Sequence, residues 1–105
     1  MAVLVLGVIA LTLSACGTSP PQNAKDPQSR QLAAGSKIFS ASCAGCHSLT
    51  GRDTHAPGGD LGLAHLNERQ VASFARIMPV HPPLSRASIV AVAAYVARAQ
   101  KSDTR

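Results

Sequence analysis

The stretch SASCAGCHSLT sets Cys43 and Cys46 three positions apart, with His47 directly after the second thiol. On a helical turn these residues stand at i, i+3 and i+4, so all three side chains leave from one side. Two thiols at this spacing can each add across a vinyl group of one haem. The adjacent imidazole then lies beneath the iron as an axial ligand, and C-x-x-C-H carries covalent haem for this geometric reason. Other chemistries fit less well. A C-x-x-C redox pair needs a preceding strand and a βαβ setting, and neither is present. A structural zinc site needs a second ligand pair at finger spacing, which is missing. A disulfide between Cys43 and Cys46 is the simplest alternative in an exported protein.

The third cysteine, Cys16, closes the apolar run MAVLVLGVIALTLSAC. That run is shorter than the roughly twenty residues that span a bilayer. It reads as the apolar region of a secretory signal ending in small residues, without the usual basic leader. LSAC, Leu13 to Cys16, resembles the lipobox of bacterial lipoproteins. The resemblance implies cleavage just before Cys16 and a diacylglycerol on its sulfur, the acyl chains supplying membrane affinity. The expected plan is a removed signal peptide at 1–15, a lipid-anchored flexible linker at 16–26, a folded domain at 27–101 and a C-terminal tail at 102–105. Fully extended, the polar segment GTSPPQNAKD reaches roughly 33 Å. An uncleaved N-terminal anchor is the alternative. Either arrangement puts the domain outside the cytoplasm, on a membrane and facing the periplasm or the cell exterior.

A chain of 105 residues makes one small domain. Apolar residues are 46% of it but aromatics only 3%, with Phe39, Phe74 and Tyr95 and no Trp. So thin a core needs a staple, and a covalent porphyrin brings a large apolar surface of its own. The net charge of +5 comes from scattered basic residues. No basic run is interleaved with aromatics, so nucleic acid is not an expected partner.

The elements that must position these residues are helical. Asp26 and Pro27 suit the N-cap and first position of a helix running toward CAGCH. Leu32, Gly35, Phe39 and Cys43 fall on one stripe of it. SLTGRDTHAPGGDLGLAH is a loop region, broken by Gly, Pro and Asp. In LNERQVASFARI, Asn67 and Gln70 form a capping box, and Leu66 with Val71 a hydrophobic staple. Prolines then break the chain, and a last helix from Ser85 carries Ile89, Val92, Tyr95 and Val96 on its apolar side. No strand is expected, so the fold class is all-α.

An N-terminal helix running into CAGCH, a Pro/Gly loop, the Met78–Pro79 pair and a closing helix with Tyr95 resemble the small monohaem class I cytochromes c. The resemblance covers most of residues 30 to 100. It implies a cytochrome c-like fold of three to four helices with long loops wrapped round one covalent haem c. Cys43 and Cys46 would form the thioethers, with His47 and Met78 on opposite faces of the iron. Such ligation closes the iron to substrates and raises its potential. The resemblance also makes the Pro57 carbonyl the acceptor for the axial histidine's Nδ1–H, and Gly35, Phe39 and Tyr95 the crossing of first and last helices. Arg76 and Ile77 stand just before Met78, where the family often has glycine, and the few lysines do not support a lysine-ringed docking face.

The function implied is one-electron transfer by a monomeric carrier that docks briefly on redox partner proteins. No acid–base pair around the iron suggests catalysis. His81, His55 or His65 in place of Met78 would give a lower-potential iron. An open iron would suit a haem sensor or small peroxidase, and permanent docking on a membrane oxidase or reductase is a third role. Arg52 and Arg76 are candidate partners for haem propionates.

Overall fold

The computed structural model describes residues 26–102. The expected signal peptide, Cys16, all of the linker except Asp26, and residues 103–105 lie outside the described residues. Three α-helices carry the chain: α1 (Pro27–Ile38), α2 (Glu68–Ala75) and α3 (Arg86–Ser102). A π-helical turn, Phe39–Cys43, continues α1, and a 3₁₀ turn spans Leu61–Leu63. Among the described residues there is no strand, only a single parallel bridge between Ser48 and Asp60. The fold is all-α, as expected. No described helix is long and apolar enough to cross a membrane.

Each helix starts where its capping residues require. Asp26 is extended, and its carboxylate accepts the Ser29 N–H at 3.1 Å, with Pro27 at the first turn. Asn67 Oδ1 accepts the Gln70 N–H at 3.0 Å, while Gln70 Oε1 accepts the Asn67 N–H at 2.9 Å. This reciprocal pair satisfies two amides that the first helical turn leaves without partners. The Ser85 hydroxyl accepts the Ser88 N–H at 3.1 Å and opens α3.

The core is the seam between α1 and α3, closed on one side by α2. Phe39, Val71, Val92, Ala93 and Val96 form its buried cluster, with Val92 and Val96 only 2% and 1% exposed. Burying side chains of this size contributes about 1.5–3 kcal/mol each. The two helices meet at Gly35. A Cβ there would run into the Ala91 carbonyl oxygen and come within 2.6 Å of the Tyr95 Cβ. One turn further, the Phe39 and Tyr95 rings pack at 5.9 Å between centroids, tilted by 53°. Glycine inside a helix costs about 1 kcal/mol relative to alanine, and here it permits the crossing.

Gly35→Ala therefore sets a small gain in helix propensity against overpacking of the seam, which typically costs about 1–3 kcal/mol. Denaturant unfolding of the haem-loaded protein should give a net loss of up to about 2 kcal/mol. A more stable variant would mean that the crossing is not tight.

Candidate functional site

The π turn delivers Cys43. The Ala44 N–H bonds the Phe39 carbonyl at 2.9 Å, one residue further back than in an α-helix. The chain then tightens: Cys46 N–H and His47 N–H both donate to the Cys43 carbonyl, at 3.1 and 2.9 Å. Cys43, Cys46 and His47 thus share one turn, as their spacing predicts. Both thiols are free. Burial pushes the Cys43 thiol up, so it stays protonated at neutral pH.

A cavity of about 230 Å³ opens against this turn. Phe39, Leu61, Leu66, Val71, Phe74, Val92 and Val96 supply most of its wall, and Cys43, His47 and Met78 also border it. A smaller cavity of about 100 Å³ adjoins Cys43, Cys46, His47, Met78 and Pro79. His55, His65 and His81 are exposed and border neither cavity, and the same holds for Arg52 and Arg76. Among the described residues no three His, Cys, Asp or Glu side chains gather as a metal site, so the zinc alternative finds no support.

The back of the histidine is held by the loop. His47 Nδ1 lies 3.2 Å from the Gly59 carbonyl oxygen. A carbonyl can only accept, so this contact selects the tautomer with hydrogen on Nδ1 and leaves the Nε2 lone pair free. The acceptor expected from resemblance was Pro57, and the structure corrects this to Gly59. The reason is a turn in which Gly59 N–H bonds the Ala56 carbonyl at 2.9 Å, leaving Pro57 exposed within it. Gly58 N–H then bonds the Cys46 carbonyl at 2.7 Å, and the next carbonyl meets the ring. Gly58 itself packs on the imidazole, since a Cβ there would stand 2.6 Å from His47 Cε1.

Beside this contact sits Asp60, buried at 8% exposed. Its Oδ2 accepts the Thr50 hydroxyl and the N–H groups of Arg52 and Asp53, each at 2.9 Å, and its Oδ1 accepts the Gly62 N–H at 2.8 Å. Burial pushes this carboxyl up. Hydrogen bonds from the backbone of Asp53, Gly51 and Gly62 and from the Thr50 side chain outweigh burial and hold it well below the usual carboxylate range.

Compared with known proteins, residues 32–88 match the family model for cytochrome c, more than half of the chain. The chain belongs to the cytochrome c family. No curated protein and no solved structure matches it. Members of the family carry covalently bound haem and typically serve as electron carriers that meet redox partner proteins. The residues here fit that group: two free thiols at C-x-x-C-H spacing, an imidazole with its Nε2 free, an apolar cavity against Cys43 and His47, and a smaller one that Cys46 also borders. Haem c is therefore this cytochrome's cofactor. Attachment by Cys43 and Cys46 would need no oxidant: each S–H bond and one vinyl π bond would be exchanged for one S–C and one C–H bond.

Asp60 and the glycines before it were missed as site residues of this cytochrome. The signal was present in GGDLG, where an aspartate precedes a short turn and can accept nearby backbone N–H groups. What the sequence hides is that most of Asp60's donors come from residues 50–53.

A carboxyl held low when folded contributes stability that is complete above its unfolded value near pH 4 and is lost as the pH falls toward the folded value. In that window the unfolded chain binds the proton and the folded chain does not. Asp60→Asn should be less stable at pH 7 and should lose less on acidification from about pH 5 to pH 3. Urea unfolding of both proteins at each pH checks this, and parallel losses would discount the carboxylate.

Proposed function

We propose that this is a monohaem class I cytochrome whose domain carries one electron at a time between membrane-associated redox partners. Cys43 and Cys46 hold the haem through thioethers, and His47 and Met78 ligate its iron. The observation that carries the reading is the lining of the cavity. Of the four histidines and Met78, only His47 and Met78 border it. The bound haem supplies the one-electron Fe(III)/Fe(II) couple.

The chain's own residues do the rest. His47 offers Nε2 while Gly59 holds the proton at Nδ1. Met78 offers a thioether, a soft ligand that favours the reduced iron and raises the potential. Phe39, Val71, Val92 and Val96 exclude water from the inner wall, and a dry site lowers the reorganisation needed when charge changes. The transfer requires no acid or base, which suits a carrier rather than an enzyme. At the N-terminus, Cys16 is the proposed lipidation site, and residues 16–26 tether a monomeric domain to a membrane on its periplasmic or outer side.

The absorption spectrum of the mature protein tests the ligand pair. Haem should survive acid–organic extraction, and the oxidised protein should have the weak red charge-transfer band of a sulfur–iron bond. Met78→Leu should abolish that band and let the reduced protein bind carbon monoxide. A wild type that lacks the band, or binds carbon monoxide as it stands, would replace the carrier with a sensor or peroxidase.

Thioether attachment should also decide folding, because the core is small. Cys43→Ala/Cys46→Ala should lose cooperative thermal unfolding and part of its helical circular dichroism. Full helicity with a sharp transition would mean that the helices need no porphyrin.

A further inference from the structure

We propose that Asp60 is the positioning residue for His47: by gathering the loop around its carboxylate it fixes the Gly59 carbonyl against Nδ1 and so tunes the iron. The inference rests on the reading of His47 as an axial ligand. It starts from what does not hold Gly59. A Cβ built on this glycine would meet nothing within 4 Å, and the residue is exposed. Packing therefore does not place its carbonyl. Hydrogen bonds on either side do.

On the N-terminal side the placement is made by Gly58 N–H on the Cys46 carbonyl and Gly59 N–H on the Ala56 carbonyl, at 2.7 and 2.9 Å. On the C-terminal side it is made by Asp60. Its two oxygens draw in the Thr50 hydroxyl and the amides of Arg52, Asp53 and Gly62, and the Gly51 amide also bonds to it. The outgoing stretch 50–53 and the returning stretch 60–62 are thus tied at one carboxylate. Leu61 N–H on the Ser48 carbonyl, at 2.9 Å, runs beside the tie. Where the two stretches touch, a Cβ on Gly62 would stand 2.9 Å from the Gly51 Cα.

Only a carboxylate suits this hub. Asparagine has the same outline, but it accepts through one oxygen and turns an NH₂ donor toward N–H groups. The donors it fails would be left unpaired in a buried spot, which costs more than the bonds are worth. The loop would then relax, and the longest contact in the set, the 3.2 Å one between His47 and Gly59, is the one with least to lose. A histidine that donates a firm Nδ1–H bond is a more basic ligand and favours ferric iron. Loosening that bond raises the potential.

The test uses the haem-loaded protein and two variants. Asp60→Asn removes the carboxylate, and Thr50→Val removes one donor while keeping the charge. Proton NMR of the reduced protein identifies His47 as a ligand through its strongly ring-current-shifted ring protons, so a failure of the ligand assignment is visible in the wild type alone. The readouts are solvent exchange of the His47 Nδ1–H and the midpoint potential. In Asp60→Asn exchange should quicken at least tenfold and the potential should rise. In Thr50→Val both should move the same way by less. If Asp60→Asn does not retain haem, Thr50→Val decides alone. Unchanged exchange overturns the proposal, even where stability falls. A raised potential with unchanged exchange also overturns it, because the lost negative charge alone would do that.

Discussion

The close approach of α1 to α3 at Gly35 is the constraint on which the rest of the structure depends. Without a side chain at 35, the α1 backbone can come against Ala91 and Tyr95. Phe39, one turn later, then reaches both Tyr95 and the cavity. The same helix runs on through the π turn to Cys43, so the seam and the attachment site share one rigid segment. On the opposite helix, Val92 and Val96 belong to the buried cluster and to the cavity wall together. The seam is at once the core of the domain and one side of the apolar cavity beside Cys43 and His47. A small, aromatic-poor chain can then use one set of apolar residues for both purposes.

From that frame the loop 47–62 does the chemical work with hydrogen bonds in place of packing. Fewer than half of its residues are exposed, and the amides of His47, Gly58, Gly59 and Leu61 all find carbonyl partners. Cys46 and Ser48, on either side of the histidine, each offer a carbonyl to the returning chain, at Gly58 and Leu61. The parallel bridge between Ser48 and Asp60 is the local sign of this pairing. Glycine at 58 is required by contact with the imidazole itself. Backbone carbonyls and one carboxylate make a stiff support for a ring whose orientation decides its value as a ligand.

What could be read from the sequence follows from how local each cause is. Caps involve residues three positions apart, so Asp26 with Pro27 and Asn67 with Gln70 marked the starts of α1 and α2 correctly. The shared turn of Cys43, Cys46 and His47 is equally local. The π turn is not legible in FSASC, because no side chain signals a bond that skips one residue further. The acceptor for His47 was misplaced by two residues because the turn at 56–59 decides which carbonyl meets the ring. Asp60 escaped notice because its carboxylate is satisfied mostly by residues seven to ten positions earlier in the chain, with no period to betray them.

The two residues that border the cavity from different segments are held by different physics. His47 is fixed by its own turn, by Gly58 on its ring and by a hydrogen bond behind it. Met78 comes from a short segment between α2 and α3, is 40% exposed, and follows Ile77, which is 75% exposed. Its backbone is shaped by Val80 N–H on the Met78 carbonyl at 2.8 Å and by Pro79, which fixes one dihedral. Hydrogen bonds specify direction sharply, whereas a flexible thioether finds its place by contact. A histidine ligand must present one lone pair along one line, so it needs the directional support. Methionine sulfur on its unbranched, rotatable stem tolerates a looser approach, and Met78 stands in an exposed segment.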